Sequence, residues 1–314
     1  MTFDVEKRTI LKIKHGSHAY GLNTATSDLD VKGVCIEPFA YHFGFLHSFE
    51  QHERMAHEGV DLVVYSLKKF ARLASDCNPN IIEVLHGADE DVIFCDEFGE
   101  RLREHRYDFI SKKAKFTFAG YANAQLKRIK THRSWLLNPP KGAPTRSEFG
   151  LEEGVRISKS EIGAIDALIA DGKMPVMTGG LMHLFTQERA YAAAKDHFDQ
   201  FQNWVKSRNP ARAALEAKFG FDTKHGMHLL RLMRMCKEIL AFGKVIVKRL
   251  EDREELLDAR NGKRPYDSLI EEAERLEAEC EELYKTSTLQ KEPDREALDK
   301  FIVELTEQYL FLHG

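Results

Sequence analysis

The chain has 314 residues, 43% hydrophobic and 31% charged, with a formal net charge of −4. The ordinary apolar fraction excludes wholesale disorder, and the acidic balance excludes a global basic field, which leaves any nucleic-acid binding to local patches. Five scattered cysteines (Cys35, Cys77, Cys95, Cys236 and Cys280) form no Cys-x-x-Cys pair, so neither a disulfide framework nor a zinc knuckle is indicated. No signal-like apolar stretch opens the chain, and no apolar run approaches the roughly 20 residues that span a bilayer. A soluble, cytoplasmic protein is the expectation.

Taken in chain order, Thr9-Ile-Leu-Lys-Ile13 reads as a short strand ending at His15-Gly16-Ser17, and Leu29–Ile36 alternates as a second. A polar stretch with His42, His47, His52 and His57 at five-residue spacing fits neither a helix nor a strand face and reads as a solvated loop. Val60–Tyr65 is a third strand, Ser66 caps a helix carrying Leu67 and Phe70, and a second helix is expected from Asn80, with Glu83 completing a capping box. Strands alternating with helices imply an α/β unit. From residue 112 the texture turns helical: 112–136, rich in Lys and Arg, then 159–171, 181–207, 222–242, 265–286 and 294–312. A Gly/Pro-rich segment lies at 138–150, and Ile270–Leu283 reads as a solvated, Glu-rich helix. The expected organisation is an N-terminal α/β domain over 1–110 and a helical domain over 111–314, an α+β class overall.

The segment from Gly16 to Gly33 carries the chemistry. Asp28 and Asp30 stand at i and i+2, so on a strand both carboxylates project from one face. They repel each other unless a cation lies between them, and a hard cation such as Mg²⁺ takes oxygen ligands that it shares with substrate phosphates. Upstream, Gly16 lets the backbone approach closely, and Ser17 adds a donor beside the free N–H groups of a helix start, which together suit phosphate oxygens. Asp61, in the next strand-like run, is the candidate third carboxylate, with Asp4 and Glu58 as competitors. A phosphate cradle beside a carboxylate set that holds two cations is what nucleotidyl transfer needs.

Gly-Ser, a spacer, Asp-x-Asp on a strand and a later strand carboxylate resemble the DNA polymerase beta-like nucleotidyltransferase superfamily. Gly16-Ser-His-Ala-Tyr-Gly21 with Ser27-Asp-Leu-Asp30 is most similar to the predicted nucleotidyltransferases of bacterial and phage RNA-repair pathways. Val60–Phe70, Asn78–Glu83 and Lys224-His-Gly-Met-His228-Leu-Leu-Arg231 fit the same family. The resemblance implies a polymerase-beta-like domain and NMP transfer from an NTP, with Mg²⁺ or Mn²⁺ as cofactor. It assigns Asp28, Asp30 and Asp61 as catalytic metal ligands and favours Asp61 over its competitors. An RNA acceptor, such as a tRNA 3′ end, follows from the pathway. Lys224, His228 and Arg231, on one helix face at i, i+4 and i+7 with Arg234 nearby, then become candidate nucleotide contacts; by spacing alone they are equally a solvated basic face.

His15 and His18 flank the Gly-Ser turn without a second ligand at metal spacing, and His18 is a candidate phosphate or sugar contact. The cations Lys112, Lys113, Lys115, Lys127, Arg128, Lys130 and Arg133 are a candidate nucleic-acid face or an exposed helix surface. Trp135 and Tyr121 are stacking candidates or core. Transfer of NMP to a protein hydroxyl, and an inert nucleotide- or RNA-binding module, are the competing functions.

Overall fold

Alternation of inward and outward side chains builds the sheet. In a computed structural model, which describes residues 3–25, 27–54, 59–153, 157–173 and 179–313, strand β1 (Thr9–His15) leads into a single helical turn, α1 (Gly16–Ala19), and then β2 (Leu29–Cys35). A short helix, α2 (Phe39–Phe43), precedes strand β3 (Gln51–Arg54) and the β-branched β4 (Val60–Ser66). Helices α3 (Leu67–Ser75) and α4 (Pro79–Leu85), strand β5 (Val92–Cys95) and helix α5 (Glu97–Glu104) follow. The sheet order is β3-β4-β2-β1-β5, with β2 and β4 parallel and the other neighbours antiparallel.

The three expected strands are present, and Ser66 caps α3 by accepting a hydrogen bond from Lys69 N at 3.1 Å. Two local expectations are corrected. Helix α4 is capped by Asn78, whose side chain accepts from Asn80 N at 3.1 Å, with Pro79 at the first helical position; Glu83 is buried and has other partners. The histidine-rich stretch is not wholly loop, since His42 lies in α2 and His52 on β3, while His57 and Glu58 lie outside the described residues.

Beyond Ser111 the regular elements are helices: α6 (Ala114–Leu137), α7 (Lys159–Ala170), α8 (Gly179–Ser207), α9 (Pro210–Phe219), α10 (Thr223–Phe242), α11 (Arg253–Arg260), α12 (Tyr266–Thr286) and α13 (Arg295–His313). The architecture is thus α+β, a mixed five-stranded sheet with helices followed by a mainly helical region. Packing groups the chain into two units, one of residues 1–129 with 222–314 and one of residues 130–221. Among the described residues no helix is long and apolar enough to cross a membrane.

In the first unit one sheet face packs Val31, Cys35, Leu62 and Val64 against Phe3, Val5 and Phe49. The alternate residues, His15, Asp30 and Asp61, therefore lie on the opposite face. Helix α10 is buried almost throughout: Leu229, Leu230, Met233, Cys236 and Leu240, the expected apolar stripe, are all fully or nearly fully excluded from solvent. Truncating any one of these leucines to alanine costs about 2–5 kcal/mol. Asp222 caps the helix by accepting from His225 N at 3.1 Å. In the second unit Trp135 is core, its indole N–H donating to His197 Nε2 at 2.8 Å, and Arg146 and Glu188 form a buried ion pair.

Candidate active site

Register places the chemistry. Asp30 on β2 is paired with Asp61 on parallel β4, and with His15 on antiparallel β1, so the three side chains form a row across one end of the sheet. The chain then leaves β1 through Gly16, whose φ of +63° favours glycine. A Cβ at this position would overlap Asp30 Oδ2 and sit 3.1 Å from its Cγ. Glycine is therefore required twice, by the backbone angle and by the carboxylate lying against the backbone. Ser17 follows in α1, and among the described residues its hydroxyl makes no hydrogen bond.

Burial pushes the Asp30 carboxyl above its usual range; His15, Lys32 and Lys224 oppose this, and the neighbouring Asp61 reinforces it. Two half-buried carboxylates facing each other are the donor set that suits a hard divalent cation. Asp28 stands one residue before β2 with an exposed side chain. Among the described residues no three acidic, histidine or cysteine groups converge into a ready-made cage, so the pair fits a cation that would draw further oxygens from Asp28, water or substrate.

Behind the row lies a buried network. Glu83, 2% exposed, accepts from Tyr20 Oη at 2.5 Å and from Arg231 Nη1 at 2.5 Å. The Arg231 guanidinium lies over the Tyr20 ring, 3.7 Å from its centroid, and also reaches Met235 Sδ. His15 Nε2 comes within 3.3 Å of Glu83 Oε2 but is misaligned for a hydrogen bond. Burial alone would raise the Glu83 carboxyl, yet Arg231, His15 and Tyr20 together hold it well below its usual range. Burial likewise lowers His15 and, with Arg231 and Lys224 adding to the effect, His228. Lys32, two residues beyond Asp30 on the same face, is brought down by burial to about 8, with Glu83 and Asp30 opposing.

The predicted α10 residues therefore divide. Lys224 is half-exposed, and its charge is felt at Asp30. His228 sits edge-on to Tyr20 at 6.5 Å between centroids. Arg231 is 4% exposed and engaged with Glu83, so it reaches the row through that carboxylate and His15. Arg234 is shared among Asp252, Glu255 and Glu272. The competing Asp4 caps its own turn, accepting from Glu6 N at 3.1 Å. His18 Nε2 lies 3.4 Å from Ser27 O. Of the basic helix residues, Lys113 pairs with Asp76 and Glu292, Lys115 with Glu281, and Arg133 donates to Gly220 O. Tyr121 is partly exposed, its hydroxyl accepting from Asn78.

Sequence reading missed Glu83 as a site residue. The signal was there, a lone carboxylate inside the apolar run Ile81-Ile-Glu-Val-Leu85. It also missed the clamp on the turn after Ser17: Arg249 N donates to Tyr20 O at 3.0 Å, Arg253 Nε to Gly21 O at 2.7 Å, and Arg260 Nη1 to Leu22 O. Among the described residues Arg260 has no carboxylate partner, and burial lowers it.

The glycine-opened turn and the paired strand carboxylates lie within the segment of the chain that matches a family model. Residues 3–137 match the model of the RNA repair pathway DNA polymerase beta family, in agreement with the resemblance carried by Gly16-Ser17 and Asp28-Leu-Asp30. Similar curated proteins include an uncharacterized 38.9 kDa protein of enterobacteria phage T4, 26% identical over 38% of this chain, and the uncharacterized protein YcgL of Bacillus subtilis, 24% identical over 40%. The chain spans 38% and 47% of the length of these two relatives. Among solved structures, a nucleotidyltransferase-like protein from Exiguobacterium sibiricum is 11% identical, with a TM-score of 0.26 over 97% of this chain and 73% of that one.

Proposed function

We propose that the protein is a metal-dependent nucleotidyltransferase that moves a nucleoside monophosphate from an NTP to a hydroxyl, releasing pyrophosphate. The observation that carries this reading is the in-register Asp30–Asp61 pair with the Asp30 carboxylate against Gly16. In this reading Asp30 and Asp61, joined by Asp28, hold Mg²⁺ or Mn²⁺. The bound cation supplies charge neutralisation of the triphosphate and acidification of the attacking hydroxyl. Gly16 and Ser17 hold the triphosphate through a close backbone and a free hydroxyl donor. Asp61 accepts the proton of the attacking hydroxyl at a carboxylate oxygen. Lys224 and His228 flank the nucleotide, and Arg231 fixes Glu83, whose carboxylate lies 3.3 Å from His15 Nε2.

The acceptor we favour is an RNA 3′ end, as the description of the matched family suggests, and the setting is cytoplasmic. The test supplies each α-³²P-labelled NTP with Mg²⁺ or Mn²⁺ to total RNA and to protein, beside an Asp28→Asn/Asp30→Asn double variant. Label in RNA that disappears in the variant is the expected result. Label in protein bands would transfer the same chemistry to a protein hydroxyl, and full transfer by the variant would remove the site assignment.

A further inference from the structure

In the helical part of the first unit, arginines withdrawn from solvent are paired with acid. Arg231 meets Glu83, Arg234 meets Asp252, Arg249 meets Glu238 and Arg264 meets Glu272, each within 2.8 Å. Arg260, the last residue of α11, departs from this pattern. It is half-buried, yet among the described residues it makes no ion pair. Burial lowers its pKa, and no neighbouring anion opposes the shift. Its hydrogen bonds go to neutral oxygens: Nη1 donates to Leu22 O, and Nη2 to Ser27 Oγ at 3.5 Å. Neutral acceptors satisfy two N–H groups without cancelling the charge, and they leave the rest of the guanidinium fork unused. A cation held partly out of water without a counter-ion gains most from an arriving anion.

The place of this cation decides which anion it meets. Leu22 and Ser27 are the two ends of the segment that joins the Gly16-Ser17 turn to Asp28. Leu22 N donates to Ser17 O at 2.9 Å, closing the turn, and Ser27 immediately precedes Asp28. His18, on the same turn, brings Nε2 to 3.4 Å from Ser27 O. Arg260 therefore grips both ends of the loop between the glycine-opened turn and the carboxylates. Ser27 is three residues before Asp30, at most about 10 Å along an extended chain, so the guanidinium stands off the carboxylate row but within reach of a bound polyphosphate. A nucleotide whose reacting phosphate lies at the row, and whose tail follows the Gly16-Ser17 turn, presents its terminal phosphate to Arg260. This arginine lies outside residues 3–137, the segment that matches the family model.

We propose that Arg260 binds the terminal phosphate of the nucleotide and makes the site select triphosphates over diphosphates. The assignment rests on the transferase reading of the same site, so its test reads binding and needs no turnover. ATP, GTP, CTP and UTP, and the four matching diphosphates, are titrated calorimetrically in Mg²⁺ without an acceptor. In wild type the preferred NTP should bind at least about tenfold tighter than its NDP. Arg260→Gln, which keeps a donor for Leu22 O, should weaken that NTP about ten- to hundredfold and its NDP less than about threefold. Arg260→Lys keeps the charge but loses the fork, and should fall between. Arg253→Gln removes a different clamp on the same turn, at Gly21 O, and should change NTP and NDP alike. Equal loss of NTP and NDP in Arg260→Gln, or unchanged NTP affinity, overturns the assignment and leaves the Asp30–Asp61 site standing. Absence of nucleotide binding by wild type overturns both. Selective loss in Arg260→Gln, beside no NMP transfer by wild type, keeps the contact and removes the transfer reading. If Arg260→Gln does not fold, Arg260→Lys decides, because an NTP-to-NDP preference equal to that of wild type contradicts the guanidinium contact.

Discussion

Glu83 and Asp30 are carboxylates on either side of His15, yet their surroundings push them in opposite directions. Glu83 is deeply buried but has Arg231, Tyr20 and His15 around it, so its charge is favoured. At Asp30 burial is the main cause and the facing Asp61 adds to it, outweighing His15, Lys32 and Lys224, so its charge is disfavoured. The compensated group is architecture: it ties α4 to α10 across 148 residues of sequence and steadies the base of the row. The Asp30–Asp61 pair, two carboxylates in register on adjacent strands, is where a bound cation has most to gain. A fold that holds two carboxylates in this way stores instability at its functional site.

The largest test of that contrast is activity. Asp30→Asn or Asp61→Asn should each lower NMP transfer by about 10³-fold or more with unchanged circular dichroism, because the lost charge acts on the reacting phosphate. Glu83→Ala should do the reverse, costing about 3–5 kcal/mol in urea unfolding by stranding Arg231 in the core. Because the folded Glu83 carboxyl lies below its unfolded value, its stabilisation is complete above about pH 4.3 and is lost as pH falls below that. Wild type should therefore lose more stability on acidification than Glu83→Gln, as read from urea midpoints across pH 6 to pH 3. Gly16→Ala should cost about 1–2 kcal/mol through its positive φ and lower transfer by displacing Asp30. The smallest effect is the most diagnostic. In EDTA, Asp30→Asn should raise the melting temperature by about 1–3 °C, and Mg²⁺ should reverse the order of the two proteins. A variant that melts lower in EDTA would place Asp30 with Glu83 as a structural charge.

Local pattern made much of the fold legible. The alternation in Thr9–Ile13 and Leu29–Ile36 and the β-branched run at Val60 marked the central strands; of the Asp28/Asp30 pair expected on one strand face, only Asp30 lies on β2. Strand β3, Gln-His-Glu-Arg, has no apolar residue to betray it, because it is an exposed edge. Strand β5 is four residues long and leaves Ile93 and Phe94 half-exposed. Helices α9 and α11 escaped notice because their apolar stripes are short. The pairing of Asp30 with Asp61 depends on strand order, which spacing does not encode, and the resemblance supplied it. The Glu83–Arg231 pair and the arginine clamp on residues 20–22 join distant segments, so only tertiary packing reveals them. Arg231 shows the limit most clearly: helical spacing put it on a basic face with Lys224 and His228, and packing turned it inward.

The central claim, that the Asp30–Asp61 row is a divalent-cation site, is tested most directly by Mn²⁺ binding followed by electron paramagnetic resonance in the presence of a non-hydrolysable NTP analogue. Wild type and an Asp4→Asn control should bind alike, and Asp30→Asn and Asp61→Asn should each weaken binding by at least about tenfold. Mn²⁺ affinity unchanged in both carboxylate variants would contradict the account.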